Sequence, residues 1–189
     1  MRLPSSGAVV VLAALCACNG AGGGGEAEPA NASVSGAAAG IDFTFTPAQA
    51  GALFESNRPG AGELTVFLCE IGCPALGSSA PTDGETRSVV LSVDATTAEL
   101  RSGGVFPIGP TAYARAELQR AGQVLVDEAV SGEILIESSD LAEDGETVGT
   151  FQFETVSGGA LGGFFEAPLI ELSGPVVLLE GACVREAPR

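Results

Sequence analysis

The stretch Ile41-Asp42-Phe43-Thr44-Phe45 decides the fold class of this chain, because from there onward apolar and polar residues alternate. A period of two places successive side chains on opposite faces of a β-strand. Pro47 ends this first predicted strand. Further strands are predicted, with turn residues between them, at 64–68, 88–93, 124–130, 133–137, 147–155, 162–167 and 175–179. Many short strands and no long amphipathic helix predict an all-β domain, an antiparallel β-sandwich or a barrel-like fold.

Three places in this pattern combine the signal for a strand with a signal for a helix, a strand break or a bulge. Residues 111–120 are rich in helix-forming Ala, Glu, Leu, Gln and Arg, and Gly122 would suit a helix C-terminal cap. The same residues alternate strictly between apolar and polar and have strands on both sides, which favours a strand. Ser131-Gly132 reads as a break between two strands, and the interrupted alternation near Gly149 predicts a β-bulge.

Residues 18–40 are predicted to be a flexible linker that precedes a β-rich domain at 41–189. From Asn19 to Gly40 no residue is bulkier than Val34. Such a segment buries too little apolar surface to offset the entropy cost of ordering it.

The N-terminus has the layout of a secretory signal at residues 1–17. Met1-Arg2 is a short positive start, and an apolar or small run extends from Gly7 to Leu15, too short for a membrane-spanning helix. The residues Leu15-Cys16-Ala17-Cys18 resemble the bacterial lipobox, which implies cleavage before Cys18 and lipidation of its thiol. Cys16 is the poorer candidate, because Leu15 would then occupy a position where small residues are normal. Asn19, instead of Asp, follows Cys18, which by resemblance to enterobacterial sorting rules implies a location at the outer membrane of the cell envelope.

The composition argues against nucleic acid as a partner. The chain has 24 acidic residues, 8 basic residues that are all Arg, and a net charge of −16. Such a surface repels phosphate backbones. The expected partners are the membrane, through the N-terminal lipid, and a protein or surface polymer that the sequence does not identify.

The chain lacks residue types that most of the common enzyme active sites require. The chain contains no His, so it has neither a Ser-His-Asp triad nor an imidazole metal ligand. Carboxylates crowd at Asp140 to Glu146, but Ala142 and Phe151 occupy the third and twelfth positions of a calcium loop counted from Asp140. We therefore expect no catalytic residue, no metal site and no cofactor. Sugar-binding faces tend to use exposed aromatic residues, whereas the nine Phe are assigned here to the core.

Three cysteines remain in the mature chain if Cys16 leaves with the signal and Cys18 is lipidated. An oxidising envelope compartment favours a structural disulfide. Cys73 and Cys183 both follow predicted strands, and their pairing is the predicted bridge. Cys69–Cys183 ranks second, and Cys69–Cys73, which needs a tight turn, ranks third.

The order of these features is similar to that in a loose set of uncharacterised lipoproteins from GC-rich, myxobacteria-like genomes. The similarity consists of Phe45-Thr46-Pro47, a Leu/Val strand that ends near a cysteine, and a late cysteine, over residues 41–183. It supports the all-β prediction and implies no activity. The sequence thus predicts a membrane-tethered lipoprotein with a non-enzymatic structural or binding module. The alternative is a small extracytoplasmic carboxylate-based hydrolase or ligand carrier.

Overall fold

The computed structural model describes residues 30–72, 84–120, 123–142 and 144–170, together with the backbone of 176–179 and 182–185. The all-β prediction is confirmed, with one short helix. The elements are β1 (Ala32–Ala38), β2 (Ile41–Asp42), β3 (Gln49–Arg58), β4 (Ala61–Cys69), β5 (Glu85–Thr96), α1 (Thr97–Ser102), β6 (Gly104–Pro107), β7 (Ala112–Arg120), β8 (Gln123–Ser139), β9 (Glu146–Thr155), β10 (Ala160–Pro168), β11 (Val176–Leu179) and β12 (Ala182–Arg185).

Ten strands form one antiparallel sheet that does not close, with the order β2-β1-β10-β9-β8-β7-β5-β4-β3 and β6 added to β8. The sheet folds on itself as a sandwich-like structure. The first layer comprises β1, β2, β6, β9, β10 and residues 129–139 of β8. The second layer comprises β3, β4, β5, β7 and residues 123–128 of β8. Strands β11 and β12 pair antiparallel with each other.

Strand β8 belongs to both layers, because it pairs with β7 through its first half and with β9 through its second half. The register shifts between Ala129 and Ser131, and Gly132 has a positive φ of 123°. A Cβ atom at Gly132 would lie 2.2 Å from the carbonyl oxygen of Gln152, so only glycine fits there. The prediction of two strands separated at Ser131-Gly132 is wrong, since a bulge bends the strand without ending its pairing.

The core lies between the layers and uses the inward residue of each alternation. Two glycines on the inner face of the first layer make room for phenylalanine rings. A Cβ at Gly149 would lie 2.7 Å from Cζ of Phe165, and one at Gly163 would lie 2.9 Å from the ring of Phe151. The bulge predicted near Gly149 is wrong for β9, which pairs with β10 without a register shift; the bulge is in the partner strand, where β8 shifts register between Ile136 and Ser138.

Strand β1 corrects the predicted linker. Residues 32–37 pair with β10, and Ala37 and Ala38 pair with β2, so the prediction of a flexible linker through Gly40 is wrong for this part. Residues 19–29 lie outside the described residues. Small residues suit this strand because it lies against the glycine pair of β10, with Val34 opposite Gly163.

The first predicted strand is shorter than expected, since β2 covers Ile41–Asp42 only. Phe43 and Phe45 nevertheless point into the core, and Phe45 forms an isolated bridge with Val34. The strand preferred for residues 111–120 is confirmed as β7, whose apolar positions are buried: Ala112, Ala114, Ala116 and Leu118.

Helix α1 carries the chain from β5 in the second layer to β6 in the first. Thr96 and Glu99 form a reciprocal capping box at its start, and Leu100 is fully buried beneath it. This helix was not predicted from the sequence.

Candidate functional site

The outer face of the first layer carries an apolar row that runs across four strands. The row consists of Val105, Leu135, Thr150 and Phe164, which are consecutive partners in the registers of β6, β8, β9 and β10. Val105 is 55% exposed and Phe164 is 41% exposed. Because residues of one parity share a face, the strand pattern that buries Ile134 and Phe165 also places Leu135 and Phe164 outside.

A polar row lies next to the apolar row on the same face, displaced by two residues along each strand. Glu133, Gln152, Gly162 and Ser35 are partners across β8, β9, β10 and β1. The Gln152 amide donates a hydrogen bond of 3.0 Å to Oε1 of Glu133. Gly162 has no side chain, which leaves a gap between Gln152 and Ser35.

Two open grooves lie on this face, one on each side of the polar row, and both are lined by Gln152. One has a volume of about 300 Å³ and lies over Val105, Glu133, Leu135 and Thr150. The other has a volume of about 480 Å³ and is lined by Ser131, Gly132, Glu154, Ala160 and Gly162 among others.

The charge of this layer is entirely negative. Its strands contain six carboxylates and no basic residue: Asp42, Glu133, Glu137, Glu146, Glu154 and Glu166. The four Arg residues in the strands of the two layers all lie in the second layer, at positions 58, 87, 115 and 120. The outer grooves of the first layer therefore combine apolar contact area with a negative electrostatic potential.

Phe164 is the functional candidate that the sequence reasoning missed. All nine Phe were expected in the core, and that expectation is wrong for Phe164, which is exposed, and for Phe67, which is buried on the outer face of the second layer. The signal was present in the Phe164-Phe165 doublet, because adjacent residues of a strand face opposite sides and both cannot point into one core.

Asp127 is a buried carboxylate, only 6% exposed, whose hydrogen bonds hold two turns together. Its Oδ2 accepts from the Ala39 N–H at 2.7 Å and from the Ser157 hydroxyl, and its Oδ1 accepts from the Ser157 N–H at 3.2 Å. Burial by itself would raise the pKa of Asp127, but these hydrogen bonds outweigh it and hold the pKa below its ordinary value. All of these contacts are internal, so Asp127 is a structural group.

The Glu70–Arg87 ion pair connects the two layers at one edge. The guanidinium forms a two-pronged hydrogen bond with the carboxylate, its NH1 donates to the carbonyl oxygen of Asp42 at 2.7 Å, and it lies 5.6 Å from the ring centre of Phe45. The hydrogen bond with Arg87 holds the pKa of Glu70 below its ordinary value. Since all three nitrogens of this guanidinium have hydrogen-bond partners within the chain, the pair also acts structurally.

The acidic loop predicted to lack a metal forms a turn closed by its own backbone. The Asp140 N–H donates to the Glu146 carbonyl oxygen at 2.9 Å, and Oδ1 of Asp140 accepts from the Ala142 N–H at 3.1 Å. Within the described part of the chain, no group of three or more His, Cys, Asp or Glu residues could hold a metal ion. The expectation that this loop binds no metal remains a prediction.

The cysteine predictions fall largely outside the described residues. Cys18, Cys73 and the side chain of Cys183 lie there, so the lipid anchor at Cys18 remains a prediction. Cys69 ends β4, is 2% exposed and is disulfide-bonded. Its partner is a cysteine whose side chain is not among those described. If Cys16 is removed and Cys18 is lipidated, that partner is Cys73 or Cys183, the pairings ranked third and second from the sequence. Either pairing uses one cysteine of the first-ranked Cys73–Cys183 bridge, which then does not form.

Comparison with known proteins gives no relative from which a function could be transferred. No protein-family model, curated protein or solved structure matches the chain significantly. No helix within the described residues is both long enough and apolar enough to span a membrane.

Proposed function

We propose that this protein is a membrane-tethered envelope lipoprotein and that its β-domain is a non-enzymatic binding module. The observation that carries the proposal is the grooved outer face of the first layer, where an exposed apolar row lies among carboxylates without basic residues. The binding surface is placed outside the sandwich because apolar side chains fill the space between the layers.

The ligand that fits this face best is a positively charged, partly apolar protein segment in an extended conformation. Neighbouring strands lie about 4.8 Å apart, so the row from Val105 to Phe164 presents contacts at regular intervals along a line. Apolar side chains of the ligand would pack on Leu135 and Phe164, and its basic side chains would approach Glu133 and Glu154. Such charge complementarity contributes chiefly to specificity and to the rate of association.

The tether supports this proposal by setting the distance from the membrane. If Cys18 carries the lipid, 13 residues separate it from Ala32, the first residue of β1. A chain of this length spans at most about 45 Å when fully extended. The module would therefore act on partners close to the surface that anchors it.

Fluorescence anisotropy on the mature chain tests the proposal. The probe is a labelled short peptide of alternating lysine and leucine, with matched peptides of alternating glutamate and leucine and of alternating lysine and serine. We expect saturable binding of the first peptide, weakened by salt, and much weaker binding of the other two.

Two pairs of variants locate the binding surface. Phe164→Ser should weaken binding about tenfold, which corresponds to about 1.4 kcal/mol. The matched control is Val124→Ser, because Val124 is 45% exposed and lies in the second layer. Glu133→Gln should weaken binding and reduce its salt dependence, whereas Glu55→Gln on β3 should do neither. No binding by the parent chain, or equal effects of Phe164→Ser and Val124→Ser, would overturn the proposal.

A further inference from the structure

The outer face of the second layer carries a second apolar cluster that is buried although it faces away from the core. Leu53, Phe67, Cys69 and Val90 are 8%, 8%, 2% and 6% exposed. Their strand neighbours of opposite parity, such as Val66 and Leu68, belong to the core between the layers. An outward-facing cluster is buried only when something lies over it.

The path of the chain after β10 leads to this cluster. Leu169 forms a parallel bridge with Ala52 at the free edge of β3, and the Ile170 N–H donates to the Ala52 carbonyl oxygen at 2.8 Å. Leu169 packs against the core, whereas Ile170 packs against the outer cluster. The chain has therefore passed from the inner side to the outer side of the second layer at Ile170.

The segment that follows contains a hairpin with an apolar strand. Strand β11 has the sequence Val-Val-Leu-Leu and pairs antiparallel with β12. An isolated two-stranded hairpin is at best marginally stable in water and gains stability by packing on another surface. The outer cluster needs a segment that covers it, and the hairpin needs an apolar surface on which to pack.

We propose that the C-terminal hairpin, Val176–Leu179 with Ala182–Arg185, docks on the outer face of β3, β4 and β5 and covers the cluster of Leu53, Phe67, Cys69 and Val90. Five residues lie between Ile170 and Val176, and the six Cα–Cα steps that join the two can span about 20 Å. Three neighbouring strands are only about 10 Å across, so the hairpin reaches the whole cluster. The domain then has a third layer over one face, and its opposite face remains free as the proposed binding surface.

Photocrosslinking in the full mature chain tests this docking. p-Benzoylphenylalanine is placed at Thr65, a half-buried residue of β4 on the same outer face as Phe67. The matched control is the same substitution at Thr150, half-buried on the outer face of the first layer. We expect irradiation of Thr65→p-benzoylphenylalanine to give a crosslink within one chain to a peptide from residues 171–189, and the Thr150 variant to give none.

Truncation after Ile170 provides an independent measurement. Removal of the hairpin should expose the cluster, increase the binding of a hydrophobic dye and promote self-association at raised protein concentration. Phe67→Ser in the truncated chain should reverse part of both effects. A crosslink from position 65 to a second chain would overturn the proposal and identify this face as a dimer interface. A crosslink elsewhere in the same chain, or a truncated chain without new dye binding, would overturn it as well.

Discussion

Replacing Asp127 with Asn tests whether this carboxylate stabilises the junction between β8 and the two turns that it contacts. The two oxygens accept three hydrogen bonds, two at Oδ2 and one at Oδ1. An asparagine has a single acceptor oxygen. In its better orientation it loses the bond from the Ser157 N–H, turns an NH₂ group towards that donor, and converts the other two bonds from charged to neutral.

The expected loss follows from these bonds. Hydrogen bonds to a charged group contribute about 1.5–3 kcal/mol each, and neutral ones about 1 kcal/mol. Allowing for rotation of the Ser157 hydroxyl, we expect Asp127→Asn to lower the free energy of unfolding by about 2–3 kcal/mol at pH 7. At about 2–4 °C per kcal/mol for a chain of this size, the melting temperature falls by about 4–12 °C.

The effect should depend on pH in a defined direction. The pKa of Asp127 is lowered in the folded state, so its contribution is fully present above the unfolded pKa of about 3.9. The contribution is lost as the pH falls through the folded pKa. The difference between the parent chain and Asp127→Asn should therefore shrink below about pH 4.

Denaturant unfolding at pH 7 and pH 3 measures both quantities, with Asp94→Asn as the control. Asp94 pairs with Arg58 at 2.8 Å, but the two side chains are 38% and 57% exposed, so its loss should cost less than about 1 kcal/mol. If Asp127→Asn unfolds at the same denaturant concentration as Asp94→Asn, the hydrogen bonds of Asp127 do not stabilise the fold and the reasoning fails.

Four further predictions follow from single features. Gly149→Ala should destabilise the fold by about 1–3 kcal/mol, because its Cβ would lie 2.3 Å from the Leu135 carbonyl oxygen and 2.7 Å from a phenylalanine ring. Gly104→Ala, whose nearest neighbour lies at 3.7 Å, should cost much less, and equal melting temperatures would contradict this. Non-reducing peptide mapping should recover Cys69 in a disulfide, and a free Cys69 thiol would refute it. Mass spectrometry should find the mature N-terminus at a lipidated Cys18; an unmodified cysteine there rules out the anchor. Millimolar calcium should leave the melting temperature nearly unchanged, whereas a rise of several degrees, lost when Asp140 is replaced, would reveal a site at 140–146.

The alternation of apolar and polar residues predicted most of the strands that carry bulky side chains. Residues 112–120 show its strength, because the alternation outweighed a composition rich in helix formers. The same reasoning failed for Ala32–Ala38, where small residues give no hydrophobic signal. That strand exists because its partner, β10, presents Gly162 and Gly163, so the backbones pair without large side chains.

The candidate binding face could not be predicted in the same way. Its apolar row depends on the registers of four strands, and Val105 and Phe164 are 59 residues apart in the chain. No periodicity within one segment specifies such a register. The acidic character of the layer was visible only as the net charge of the whole chain, because its separation from the arginines of the second layer arises from the topology.

The shared strand β8 has a consequence for how the domain unfolds. A sandwich whose layers consist of separate strands can separate into two intact sheets, because only the interface between the layers is lost. Here residues 123–128 pair with β7 and residues 129–139 with β9, so neither layer keeps all its hydrogen bonds once β8 is released. We therefore expect the two layers to unfold as a single cooperative unit. A substitution that destabilises the bend near Gly132 should destabilise both layers.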